Sequence, residues 1–254
     1  MSNKKTIRWA VFAVLALYLA FVVFAFIVDR EDSRMSPTAQ QGSLASAPQD
    51  QTGRVMPPRH SPGEEDFKKG MAIFEAGDHE SASKYFLSAA EQGHAEAQYA
   101  LGRYYDYDAR SRKDKQKCME WYRKAAEQGH AEAQYNLGFR YLMGEYVNQD
   151  QDEALKWIRK AAEQGLPVAQ FQLGACYQSG IGGRRGIAEA VTWYRKAAEQ
   201  DAPIANEAKY KLGECCLNGI GVEQNRAEAV KWFAEAAEQG NAEAVDALRR
   251  LGVE

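Results

Sequence analysis

"RKAAEQG" occupies residues 123–129 and returns at 159–165; close copies stand at 195–201 ("RKAAEQD") and 234–240 ("AEAAEQG"), and a shorter "AAEQG" at 89–93. The first alanines are Ala89, Ala125, Ala161, Ala197 and Ala236, so the copies step by 36, 36, 36 and 39 residues. A fixed period of this size marks a stacked array, in which each unit packs on its neighbours instead of into one central core.

Residues 131–165, "AEAQYNLGFRYLMGEYVNQDQDEALKWIRKAAEQG", show what one unit contains. Ala133, Leu137 and Tyr141 fall at i, i+4 and i+8, an apolar stripe on a first helix. Gly144 ends that helix, because glycine takes the left-handed conformation at low cost. Asp150 or Asp152 caps a second helix, whose stripe is Ala154, Trp157, Ile158, Ala161 and Ala162. Gly165 ends it, so the unit is a helix–loop–helix hairpin. In "AAEQG" the alanines form the contact surface, Glu and Gln face water, and Gly stops the helix.

The other units align with this one. Leu101-Gly102, Leu137-Gly138, Leu173-Gly174 and Leu212-Gly213 mark the first helix, and Trp121, Trp157, Trp193 and Trp232 the second. Gly and Ala let helices approach while Trp and Leu fill the space between them. The three extra residues of the last step fall near "APIANEAKY", which predicts an earlier or irregular start to that helix.

This pattern resembles the Sel1-like repeat, a tetratricopeptide-related family. Its signature reads here as A-x-A-x-x-x-L-G-x-x-Y-x-x-G-x-G-V, a loop, then A-x-x-W-[YIF]-x-K-A-A-E-Q-G, in phase over about 95–241. The unit at 95–130 departs most, with "YDYDARSRKD" where others have "SGIGGRRG" and "NGIGVEQN". Residues 64–94 look like a tetratricopeptide unit with a shorter loop, and 242–254 like a capping helix. The resemblance implies an all-α, right-handed α/α solenoid that binds proteins as an adaptor, often at the bacterial envelope.

The first third of the chain reads differently. Trp9–Val28, "WAVFAVLALYLAFVVFAFIV", is 20 residues without a charge. At ~1.5 Å per residue it spans roughly 30 Å, the thickness of a bilayer's hydrocarbon core. Lys4, Lys5 and Arg8 precede it, whereas only Arg30 and Arg34 follow closely, which favours a cytoplasmic N-terminus. The apolar run is too long for a signal peptide and has no small-x-small site after it. Residues 29–63 are rich in Ser, Pro, Gln and Gly and bury little, so a disordered linker is expected. The domain reading is therefore a cytoplasmic tail (1–8), an anchor (9–28), a linker (29–63), a tetratricopeptide-like unit (64–94), four Sel1-like units (95–130, 131–166, 167–202, 203–241) and a cap (242–254). The array would be periplasmic on a single-pass inner-membrane protein.

Charge bears on partners. Residues 1–63 carry 7 Lys+Arg against 4 Asp+Glu, and the remainder 25 against 31. A net acidic array without a basic block argues against nucleic acid, whose binding requires clustered cations.

The candidate chemistry is thin. "SASK" (Ser81–Lys84) matches the S-x-x-K nucleophile motif, but its companions S-D-N and K-T-G are absent. Cysteine-rich Sel1-like proteins have been connected with β-lactam binding, which makes an enzyme a distant third reading. His60, His79, His94 and His130 include no i, i+4 pair, so no metal site is expected. Cys176 and Cys215 are equivalent positions one repeat apart, beyond the Cα reach of a bridge, Cys215 and Cys216 are adjacent, and Cys118 belongs to a helix two units from Cys176, so all four are read as buried thiols. The cysteine-rich relatives place their Cys where this chain has Ala126 and Gln134. No catalytic residue and no cofactor is expected.

One feature suggests recognition. Tyr99, Tyr135, Phe171 and Tyr210 each stand two residues before the repeat leucine, about 160° from it around the helix. With Phe139, Leu142 and Leu217 they would line an inner face able to hold an extended or helical segment of a protein partner. Packing between successive first helices is the competing explanation. The chain is thus read as a membrane-tethered interaction module or, alternatively, as an immunity protein neutralising a delivered toxin, a role the resemblance also allows.

Overall fold

The computed structural model describes residues 62–107, 111–183 and 186–253. The expected tail (1–8), anchor (9–28) and all but the last two residues of the linker lie outside the described residues. So do 108–110, within the divergent loop, 184–185, within the fourth unit's loop, and 254. Among the described residues no helix is long and apolar enough to cross a membrane.

Eleven α-helices and one short 3-10 turn make up the described array, with no strand among them. Five hairpins follow in order: α1 (Glu64–Glu75) with α2 (His79–Glu91), α3 (Ala95–Tyr107) with α4 (Arg112–Glu127), α5 (Ala131–Met143) with α6 (Gln151–Glu163), α7 (Pro167–Ser179) with α8 (Ile187–Ala198), and α9 (Ala205–Asn218) with α10 (Arg226–Glu238). The array ends on a single helix, α11 (Ala242–Arg250). Each helix packs chiefly on the one before and the one after it, as a solenoid requires.

Local chemistry sets the boundaries. Asp150, not Asp152, caps α6: its Oδ1 accepts from the amides of Asp152 at 3.1 Å and Glu153 at 3.0 Å. Gly165 follows α6 with φ 93°. The amide of Gly165 reaches the Ala162 carbonyl at 3.0 Å and that of Leu166 the Ala161 carbonyl at 3.2 Å. This paired closure satisfies the last carbonyls and needs a left-handed residue, which is why the motif ends in glycine. The fourth copy ends in Asp201 instead, and there the three extra residues are absorbed. The chain turns at 201–204, and α9 starts one residue early, so it has 14 residues where α3, α5 and α7 have 13.

The close approach inferred from the Leu-Gly pairs is present. Leu101, Leu137, Leu173 and Leu212 are at most 1% exposed. A Cβ on Gly138 would lie 3.0 Å from the Ala154 carbonyl oxygen, and one on Gly174 would lie 2.8 Å from the Tyr194 ring. The second-helix filler, however, is not chiefly the tryptophan. Tyr122, Ile158, Tyr194 and Phe233, each one residue after a Trp, are the side chains at 0–1% exposure. The tryptophans lie at the edge: Trp121 and Trp157 are just buried, and Trp193 and Trp232 half-buried. Lys124, Lys160 and Lys196 sit over the rings of Trp121, Trp157 and Trp193 at 4.1, 4.4 and 4.1 Å, covering them from water.

Candidate functional site

The aromatic ladder forms where first helices meet the buried ring of their own hairpin. Tyr99 lies 6.0 Å from Tyr122, Phe171 5.5 Å from Tyr194, and Tyr210 5.7 Å from Phe233, centroid to centroid. Tyr135 pairs instead with Phe139 at 6.0 Å, because its hairpin has Ile158 in place of a ring. All four rungs, with Phe139 and Leu217, are half-buried. Each is therefore partly covered and partly accessible, Tyr99 with the His130 ring stacked on it at 4.5 Å.

Leu142 does not belong to an open face. It is 6% exposed and packs in one cluster with Ile158, so the expectation that it meets a partner is corrected. The sequence groups it with the rungs on the inner face, but Ala154 and Ile158 of the second helix pack in the same buried cluster. Leu142 and Leu217 have a different assignment, visible when hairpins are compared. Residues 106, 142, 178 and 217 face 122, 158, 194 and 233. Asp106 accepts from the Tyr122 hydroxyl at 3.3 Å and Gln178 from that of Tyr194 at 2.8 Å. Leu142 faces Ile158, and Leu217 packs against the cluster holding Phe233. A buried hydroxyl gets an acceptor, and an apolar side chain gets leucine. An unpaired hydroxyl would otherwise cost about 1–3 kcal/mol.

The glutamine of "AAEQG" does not simply face water, as expected. Gln128, Gln164 and Gln200 each donate at 2.7 Å to the Oε1 of Gln98, Gln134 and Gln170. Those acceptors are 4–6% exposed. They in turn donate to the carbonyls of Ala90, Ala126 and Ala162 at 3.1, 3.0 and 3.2 Å. One buried amide thus joins three helices at each junction. Gln134 and Ala126, the positions the resemblance set against cysteines, are linked here by a hydrogen bond.

His94 and His130 act as helix caps. Nδ1 of each accepts from the amide of Ala97 or Ala133 at 3.3 Å, which leaves Nε2 to donate to Glu64 at 3.1 Å or Glu96 at 3.0 Å. The His130 hydrogen bond holds the Glu96 carboxyl below its usual range. The rings stack on Phe67 and Tyr99 at 4.6 and 4.5 Å. Asn241 repeats the cap in α11 without a ring: its Oδ1 accepts from Ala244 at 2.8 Å and its Nδ2 donates to Glu207 at 3.4 Å.

The remaining candidates have structural surroundings. Ser81 lies in the first turn of α2, where its amide donates to the Asp78 cap at 3.0 Å, and Lys84 is exposed. Among the described residues no group of His, Cys, Asp or Glu could hold a metal ion. All four cysteines are unbridged and buried, and burial pushes the Cys215 thiol up to about 11.

Known proteins share this architecture. The family profile described as Sel1 repeat matches residues 70–94, 95–130, 131–166, 167–201 and 206–241. It therefore takes in most of the first hairpin, which the sequence reading set apart as tetratricopeptide-like. A protective antigen present in uropathogenic Escherichia coli strains is 38% identical, with a TM-score of 0.62 over 67% of this chain and 37% of its own length. A Sel1 repeat protein from Oxalobacter formigenes is 35% identical, with a TM-score of 0.62 over 70% of this chain and 72% of its own. This chain accordingly spans little more than a third of the E. coli antigen. No curated protein matches it.

Proposed function

The chain belongs to the Sel1 repeat family, and from that premise we propose that it is a non-catalytic, membrane-tethered scaffold that binds a protein partner along its aromatic ladder. Sel1 repeat proteins are protein-interaction scaffolds. The observation that carries the proposal is the set of half-buried rings Tyr99, Tyr135, Phe171 and Tyr210, one in each of the last four hairpins at one repeat position. Half-buried aromatics are pre-positioned by the core and still offer area, the character of binding hot spots. The polar groups that could suggest chemistry are engaged as caps, bridges and buried thiols.

The tether is part of the same proposal. Trp9–Val28 would anchor the chain with Lys4, Lys5 and Arg8 on the cytoplasmic side, and the array would work in a bacterial periplasm. The partner would be an envelope or assembly protein; a delivered toxin would instead make the chain an immunity protein. Proximity crosslinking in intact cells tests the reading. The wild-type chain should capture one partner reproducibly, and a Tyr135→Ser/Phe171→Ser chain should lose it. Equal capture by both would remove the ladder from the account, and the identity of the captured protein separates adaptor from inhibitor.

A further inference from the structure

Residue 146 holds a conformation that its neighbouring repeats reserve for glycine. In the first-to-second-helix loops, Gly182 has φ 72° and Gly221 φ 74°; the equivalent residue of the third hairpin is Tyr146, with φ 70°. Among the described residues it is the only non-glycine at positive φ. The left-handed region is disfavoured for a residue with a Cβ, and nothing about a surface loop requires a tyrosine there. At Gly182 a Cβ would collide with Leu155, 2.3 Å away, and at Gly221 with the Ile187 carbonyl, 2.7 Å away. One repeat earlier the matching residue of Leu155 is Met119, which lies in the core cluster that Tyr146 packs against. The tyrosine is therefore accommodated, and it has partners.

Those partners come from three helices. The Tyr146 hydroxyl donates to Asp106 Oδ1 at 2.9 Å. Asp106 Oδ2 accepts from Arg140, and from the Tyr122 hydroxyl at 3.3 Å. Arg140 also pairs with Glu145, and its guanidinium lies 5.0 Å from the Tyr146 ring centroid. Lys115 of α4 lies 5.3 Å from the same centroid. Asp106 belongs to α3, Tyr122 to α4 and Arg140 to α5, while Tyr146 follows α5. Asp106 and Arg140 are about four-fifths buried, so their attraction is screened less than that of a surface pair. Asp106 itself belongs to "YDYDARSRKD" (105–114), the stretch that lacks the repeat's glycines. The equivalent positions of the next hairpins, Leu142 and Gln178, carry no charge.

We propose that Asp106, Arg140 and Tyr146 form a clamp that couples the opening of the α3–α4 hairpin to that of α5–α6, and that the strained loop persists because the clamp holds it. In an array whose units touch only their neighbours, cooperativity depends on each junction. This junction adds a charged, three-helix connection to the apolar packing and glutamine bridge that it shares with its neighbours. The clamp does not depend on which face binds a partner.

The test is a double-mutant cycle on the full chain, read by urea midpoint and by hydrogen exchange of α3–α4 peptides. Tyr146→Gly relieves the backbone but removes the hydroxyl and ring. In the wild-type background it should lower the midpoint and reduce α3–α4 protection by about tenfold, a coupling of the size seen for contacting residues. In an Asp106→Asn background, where the charge is gone but an oxygen that can accept from the Tyr146 hydroxyl remains, Tyr146→Gly should lower the midpoint by less than in the wild type, and the difference is the coupling. Asp106→Asn alone should loosen α3–α4 and α5–α6 together. Should that variant not fold, Arg140→Gln provides the same cycle from the other partner. Tyr146→Gly changing the midpoint equally in both backgrounds would overturn the clamp. So would unchanged α3–α4 protection.

Discussion

The hydroxyl of Tyr194 donates to Gln178 Oε1 at 2.8 Å, whereas in the preceding hairpin the same two positions hold Ile158 and Leu142, both apolar. The pair co-varies in chemistry because its interior is nearly dry. Replacing Gln178 with Leu should leave a buried hydroxyl unpaired and cost about 1–3 kcal/mol. Adding Tyr194→Phe should recover most of the loss. Urea unfolding of the two single variants and the double gives the answer, and additive losses would show that the bond does not matter.

The glycines of the Leu-Gly pairs should resist even alanine. Gly138→Ala gains about 1 kcal/mol of helix propensity, but its Cβ would lie 3.0 Å from the Ala154 carbonyl oxygen and the Ile158 amide nitrogen. Backbone atoms cannot rotate aside, so overpacking of about 1–3 kcal/mol should win. A lowered thermal midpoint is expected, and a raised one would mean that the helices have room to part.

The thiols should count as four after alkylation in denaturant without reductant, since all are unbridged. In the folded protein Cys215 should react slowly at pH 8: its pKa of about 11 leaves about one thiolate in a thousand. The sign for stability follows from the raised value. Burial favours the neutral thiol, so its contribution is complete below the unfolded pKa of about 8.5. It is lost as pH rises from there toward about 11. Stability measured between pH 7.5 and 10.5 should therefore decline, and less so in Cys215→Ala.

A reporter that works only outside the cytoplasm, fused after Glu254, should be active if Trp9–Val28 crosses with its N-terminus inside. Activity from a cytoplasm-only reporter would reverse the topology and relocate the array.

Much of this architecture can be read from the sequence because a repeat states its pattern several times. The hairpins, the Leu-Gly approach and the glycine stops follow from spacing alone. The glutamine bridges do not, because Gln134 is polar on a helix that also carries solvent-facing polar residues. Only its position against the Ala126 carbonyl makes it a core group. Trp157 and Ile158 are 100° apart on one apolar stripe, and spacing cannot rank which is deeper. Tyr146 was hidden for the opposite reason: it breaks the glycine pattern, and the compensating Asp106 stands 40 residues earlier in the chain. Of the proposed face, the aromatic rungs were legible, while the burial of Leu142 depends on the packing of α6.

The central claim concerns the ladder, and affinity measured together with fold tests it most directly. With the partner captured from cells, Tyr135→Ser/Phe171→Ser should weaken binding by about 2 kcal/mol or more per ring. The variant should keep its helical circular dichroism and unfold well above the midpoint of Tyr194→Ala, a core truncation expected to cost about 3–5 kcal/mol. A ladder variant that unfolds as readily as Tyr194→Ala, or one that stays folded and binds with unchanged affinity, would contradict the account.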